Sequence, residues 1–143
     1  MPEFIATVCA GLWAGGCIYI SVVEHPAASR VGLAFATKFF RPMSIRAAPL
    51  LIVLALIGAI SSAYAWFKGG GIEWLIGALL LISMFPLTAI FIVPTNRALL
   101  KVDYATAPQE ATLLLSRWGR WHVIRTFFGS LAFILFVFAL TLR

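Results

Sequence analysis

The chain has 143 residues, of which 62% are hydrophobic and 11% are charged, and its formal net charge is +6. Soluble globular domains are about 45–50% apolar and about 25% charged, so this chain has too few charges to cover a soluble surface. The same hydrophobicity excludes a disordered chain, and a content of 2 cysteines excludes a disulfide scaffold. The composition therefore predicts an integral membrane protein, whose positive charge concerns topology and lipid rather than nucleic acid.

Four apolar runs are long enough to cross a membrane, which takes about 20 residues in a helix. They lie at about 4–23, 47–67, 74–93 and 122–142. None shows the alternation of a transmembrane strand, so the predicted fold is all-α: a four-helix bundle in a single membrane domain, residues 1–143. The first run lacks a basic segment before it, and we expect it to be retained rather than cleaved as a signal peptide.

Basic residues are divided unevenly between the two ends of the predicted bundle. Alternation of the spans places segments 24–46 and 97–121, with the start of the fourth span, at one end. That end holds all but two of the 11 basic residues, the exceptions being Lys68 and Arg143. The positive-inside rule then predicts cytoplasmic long loops and external termini in a cytoplasmic (inner) membrane. We also expect the basic end to bind anionic lipid headgroups.

Unusual polar residues occur at this same end. They are Glu24 and His25 after the first span, Arg46 before the second, Asn96 after the third, and Trp118, Trp121, His122 and Arg125 around the start of the fourth. Trp118, His122 and Arg125 share one helical face because their spacing is i, i+4 and i+7. Charges inside membranes usually face the bundle interior and pair, so we expect an ion pair between Arg125 and Glu24. Pro26 is expected to end the first helix at this point.

Several of these stretches resemble one family of small membrane proteins. Glu24-His25-Pro26-Ala27 resembles the end of the first helix in the DUF1772, or anthrone oxygenase-like, family. Residues 94–99 match its Pro-Thr-Asn-x-x-Leu pattern, and residues 118–125 match its Trp-x-x-x-His-x-x-Arg pattern. Arg46-Ala47-Ala48 fits the start of its second helix. The resemblance covers most of the chain in the right order and implies a four-helix membrane bundle.

Some members of that family are linked to the oxidation of anthrones to anthraquinones. Such a reaction needs a base that removes a proton next to a carbonyl, and His122 is the preferred base because imidazole accepts protons near neutrality. Glu24 would orient His122 or act in its place. The remaining candidates would bind the substrate: Asn96, Arg125 and Arg46 at its oxygen, and Trp118 and Trp121 at a flat ring. His25 is also a substrate-binding candidate and is the alternative base. The scheme requires no cofactor and no metal.

Two other classes of function stay open. His25 and His122 could ligate a haem or a metal ion, although the chain has no His-x-x-His or Cys-x-x-Cys spacing. The protein could instead be a non-catalytic lipid-binding or assembly subunit. Gly11 and Gly15 form a Gly-x-x-x-Gly pair of the kind that brings membrane helices together, which would allow a homo-oligomer.

Overall fold

The computed structural model describes residues 1–141, in which four long helices and no strand are found. The helices are α1 (Pro2–Val31), α2 (Leu33–Phe67), α3 (Ile72–Leu99) and α4 (Pro108–Thr141). Each is long and apolar enough to cross a membrane, so the predicted all-α membrane bundle is confirmed. The predicted last residue of the fourth span, Leu142, lies outside the described residues, as does Arg143.

The helices do not end where the sequence predicts. Helix α1 continues through Pro26 because a π-helical turn, Ile20–Glu24, precedes it, and the N–H of His25 donates to the carbonyl of Ile20. Proline then falls in the first turn of the next α-helical stretch, where no N–H is required. The expected end of the helix at Pro26 is therefore wrong.

Helix α3 repeats this arrangement before its own proline. The turn Thr88–Ile92 is π-helical, the N–H of Val93 donates to the carbonyl of Thr88, and Pro94 follows directly. Each proline is thus accommodated by one widened turn, so both helices keep their internal hydrogen bonds at membrane depth.

The segments predicted as long loops are mostly helical. Gly32 alone joins α1 to α2, with a φ of 135° that only glycine adopts without strain. Helix α2 has 35 residues and α4 has 34, so each is about 50 Å long at 1.5 Å per residue. That length exceeds a hydrocarbon core of about 30 Å, and the basic segments therefore extend beyond it as helix.

Aromatic rings lying over glycines set the register between helices. The Trp13 ring of α1 covers Gly129 of α4, and the Phe136 ring of α4 covers Gly77 of α3; a Cβ at either glycine would overlap the ring. Of the expected Gly-x-x-x-Gly pair, Gly11 lies under the Phe133 ring of α4, whereas Gly15 is exposed. Each helix packs on its chain neighbours, and α4 closes the ring against α1.

Replacement of the glycine under Trp13 should destabilise the bundle. Gly129→Ala adds a methyl group where the indole lies, and overpacking of this kind costs about 1–3 kcal/mol. We expect a lower Tm in detergent by circular dichroism. Gly15→Ala is the matched control, because a Cβ there meets nothing within 4 Å. Equal Tm values for the two variants would contradict this packing.

Candidate functional site

A chain of hydrogen bonds joins α1 to α4 around His122. The Ser21 Oγ lies 2.8 Å from the His122 Nδ1 and 3.0 Å from the Thr126 Oγ1. The Thr126 hydroxyl donates to the carbonyl of His122 at 2.8 Å and approaches that of Cys17 at 3.4 Å. His122 is 1% exposed, so its imidazole is held inside the protein by a serine from the facing helix.

Ser21 occupies this position because it lies in the π-helical turn of α1. Sequence reasoning missed Ser21, since a single serine in an apolar span is ordinary. The available signal was spacing: Ser21 precedes His25 by four residues, an interval that places neighbouring side chains on one face of a helix. The orienting position beside the imidazole that was predicted for Glu24 is filled by Ser21.

The two histidines meet on one tryptophan. The Trp118 ring centroid lies 4.7 Å from that of His122 and 5.2 Å from that of His25. A Cβ at Gly119 would lie 2.7 Å from the His25 Nε2, so the absence of a side chain there lets His25 approach α4. The Phe40 ring of α2 packs against Trp118 in a T-shaped arrangement, with the two ring centroids 5.3 Å apart. The structure therefore groups His25, Trp118 and His122, as the sequence predicts.

A groove of about 510 Å³ between α1 and α4 runs along this cluster. Its walls include Ser21, His25, Trp118 and His122, and the exposed side chains of Val123 and Ile124 lie at its outer edge. Two buried atoms of these residues, the His122 Nε2 and the Trp118 Nε1, have no hydrogen-bond partner among the described residues. The residues that line the groove thus combine apolar side chains with an imidazole and an indole, each with a buried nitrogen that lacks a partner, and with the exposed cation Arg120.

Arg125 lies on a different cavity. Its guanidinium carbon is 5.6 Å from the centre of the Trp13 ring, and its Nη2 is 4.0 Å from the Cys17 Sγ. The expected ion pair with Glu24 is wrong, since the only ion pair within residues 1–141 joins the Met1 amine to Glu3. Glu24 is seven residues beyond Cys17, about 10 Å further along the helix axis.

Glu24 faces helix α2 instead. Glu24 is the last residue of the π-helical turn and immediately precedes His25. Its side chain therefore points about 100° away from that of His25 around the helix. It lines a second surface groove with Phe39, Met43 and the exposed Arg46, and its Oε1 is buried without a hydrogen-bond partner. The structure therefore brings Glu24 and Arg46 together, at a place separate from the groove that holds His122.

The two remaining candidates are Asn96, which lies in α3, and Trp121, which packs against α3. The Oδ1 of Asn96 is buried and without a hydrogen-bond partner, but Asn96 lines neither the His122 groove nor the Arg125 cavity. Trp121 stacks on Phe91 of α3 with ring centroids 3.9 Å apart. Within the described residues no group of three or more His, Cys, Asp and Glu could hold a metal ion. The catalytic and substrate-binding roles of all these residues stay predictions.

The fold defines a small all-α membrane protein with four helices long and apolar enough to span the bilayer. The chain belongs to the anthrone oxygenase family, which matches residues 35–135. It is 32% identical over 83 residues to the anthrone oxygenase tpcL of Aspergillus fumigatus, covering 56% of this chain and 52% of that protein. The chain thus spans about half the length of this curated relative. No solved structure matches it.

Double-mutant cycles of unfolding free energy can test the contact between α1 and α4. Ser21→Ala and Thr126→Val remove groups that share hydrogen bonds, so their effects on unfolding free energy should be non-additive by about 0.5–3 kcal/mol. Glu24→Gln and Arg125→Gln remove groups that are not paired, and their effects should add within about 0.5 kcal/mol. Denaturant unfolding in detergent measures both cycles. Strong coupling in the second cycle would show that Glu24 and Arg125 do form an ion pair.

Proposed function

We propose that this protein is a cofactor-independent oxygenase that acts on a flat, apolar anthrone or related phenol, with His122 as its base. The observation that carries the proposal is the free Nε2 of a buried imidazole on the wall of a groove of about 510 Å³. Small-molecule sites are of this size, mostly apolar, with a few polar groups. The family and the similarity to an enzyme named anthrone oxygenase support the same chemistry.

The hydrogen-bond chain favours the tautomer that a base requires. The series of hydrogen bonds ends at the backbone carbonyl of His122, which only accepts, so the Thr126 hydroxyl donates its one proton there. Thr126 Oγ1 then accepts from Ser21, whose oxygen in turn accepts from Nδ1–H of His122. In this arrangement the Nε2 keeps its lone pair and can take a proton. Ser21 and Thr126 are therefore positioning residues in the proposed reaction.

Trp118 supplies the complementary donor. Its Nε1–H is buried beside His122 and has no acceptor in the described chain, so it can donate to the substrate oxygen as negative charge develops there. This assigns to Trp118 the oxygen-binding role that the sequence gave to Asn96 and Arg125. A planar substrate dissolved in the bilayer would enter past Val123 and Ile124 at the groove's outer edge.

The reaction balances with dioxygen as the oxidant: one anthrone and one O₂ give one anthraquinone and one water. His122 takes a proton from the ring CH₂, and the resulting carbanion gives electrons to O₂ and forms a C–O bond. The peroxide takes the first proton back from His122 and becomes a hydroperoxide. His122 then removes the second proton of that carbon while the O–O bond breaks. The carbon becomes a carbonyl, and the departing hydroxide takes up this second proton from His122 and leaves as water.

Removal of the base should abolish turnover. We expect His122→Ala to lower the rate of oxygen uptake with anthrone at least about a hundredfold, the usual contribution of a positioned base. Ser21→Ala should lower it up to about tenfold, because the hydrogen bond that orients His122 is lost. An oxygen electrode, with protein in lipid nanodiscs, measures both rates. Ser83→Ala, an exposed serine bonded only to its own helix, is the control.

Two results would overturn this proposal. Wild-type protein that consumes no more oxygen than empty nanodiscs with anthrones, quinols and phenols would exclude the oxygenase. Equal activity in His122→Ala and wild-type protein would exclude His122 as the base. A haem absorption band in the purified protein that is lost in both His25→Ala and His122→Ala would establish the alternative of a haem protein.

A second candidate function, binding of anionic lipid, is favoured by the basic end of the bundle. Eight basic side chains are exposed there, and none of them forms an ion pair within residues 1–141. They are Arg30, Lys38, Arg41, Arg46, Arg97, Lys101, Arg117 and Arg120. Each basic residue near a membrane surface contributes about 1 kcal/mol to the binding of anionic lipid.

Neutralising two of these residues should weaken lipid binding. We expect Lys101→Gln combined with Arg117→Gln to bind phosphatidylglycerol roughly tenfold to thirtyfold more weakly, whereas phosphatidylcholine binding stays unchanged. Native mass spectrometry of the detergent-solubilised protein measures both. Lys68→Gln, which removes a charge at the opposite end, is the control. The same loss in both variants would show that the basic end has no special role.

A further inference from the structure

Arg125 is a cation inside the bundle for which the described chain supplies no counter-ion. Its Nε is buried without a hydrogen-bond partner, and its Nη2 has only the distant Cys17 sulfur at 4.0 Å. The Trp13 face attracts the guanidinium but does not neutralise its charge. Because an unpaired charge at membrane depth is costly and usually marks a function, an anion is the group that would complete this site.

The guanidinium forms part of the wall of a cavity of about 150 Å³ in the middle of the bundle. The buried side chains of Leu51, Ala55 and Met84 line it as well, and Arg125 is its one charged residue. Exposed Ile52 of α2 and exposed Ala89 of α3 lie at its edge, so the cavity opens between these two helices. A molecule entering there meets apolar walls first and the guanidinium at the inner end.

We propose that this cavity binds a small organic monoanion with an apolar body of about one aromatic ring, its carboxylate or phenolate oxygen on Arg125. The volume sets the size, because an apolar cavity of about 150 Å³ in another protein holds benzene. The guanidinium sets the charge, and its planar donors match a carboxylate. Thr88, from the π-helical turn of α3, adds a hydroxyl to the wall.

This site is separate from the groove of the proposed oxygenase. The two share no lining residue, and the cavity opens between α2 and α3 whereas the groove lies between α1 and α4. The inference therefore does not rest on the proposed function. An inactive protein could still bind the anion, and an active one could fail to bind it.

Benzoate is the probe, titrated at neutral pH into the full chain in lipid nanodiscs by isothermal titration calorimetry. We expect saturable binding that is about tenfold or more weaker for benzyl alcohol, which has the ring without the charge. Arg125→Gln should weaken benzoate binding by a similar factor. Ala55→Leu, which fills the cavity and leaves Arg125 in place, should also remove binding. His122→Ala should bind benzoate like the wild type.

Four results would overturn the inference. The first is the absence of saturable benzoate binding to a wild-type protein that is folded by circular dichroism. The second is equal affinity for benzoate and benzyl alcohol, which would remove the role of the charge. The third is loss of binding in His122→Ala with retention in Ala55→Leu, which would place the ligand in the other groove. Displacement of benzoate by oleate at equal affinity would overturn the size limit and identify the ligand as a membrane fatty acid.

Discussion

The contact between α1 and α4 is the constraint on which both candidate sites depend. Two rings of α1 lie against glycines of α4, Trp13 over Gly129 and His25 over Gly119, and they fix the register of the two antiparallel helices at two levels. Between these levels Ser21 meets His122, and the Cys17 backbone meets Thr126. A shift of either helix by one turn, about 5.4 Å, would separate every one of these pairs. The polar groups are therefore held in place by apolar packing.

This contact has polar groups on both of its sides, which explains why the five buried polar atoms without a hydrogen-bond partner in residues 1–141 do not form one site. His122 and Arg125 lie on adjacent turns of the same helix. The imidazole nevertheless lines the groove between α1 and α4, whereas the guanidinium lines the cavity that opens between α2 and α3. A membrane protein of four spans has few polar residues with which to build a site. Here they are divided between a surface groove lined by an imidazole, an indole and Arg120 and a second cavity whose one charged residue is Arg125.

Much of the fold could be predicted from the sequence, because the bilayer requires long apolar helices and leaves few alternatives. The stripe of Trp118, His122 and Arg125 could also be found, since spacing within one straight helix is reliable. The placement of Glu24 could not. Glu24 lies about 10 Å along α1 from Cys17, the residue level with Arg125, and it belongs to the π-helical turn Ile20–Glu24, which the sequence did not predict. Ser21 was missed because a single serine in an apolar span is ordinary.

The π-helical turn of α1 has an angular consequence. In an uninterrupted α-helix each residue turns about 100°, so His25, twelve residues after Trp13, would point about 120° away from it. One extra residue absorbed in Ile20–Glu24 removes about 100° of that difference and leaves about 20°. The widened turn thus acts as a phase correction, which lets a single face of α1 follow α4 from the level of Trp13 to the level of His25. A helical wheel drawn at constant pitch through this sequence assigns the two rings to different faces.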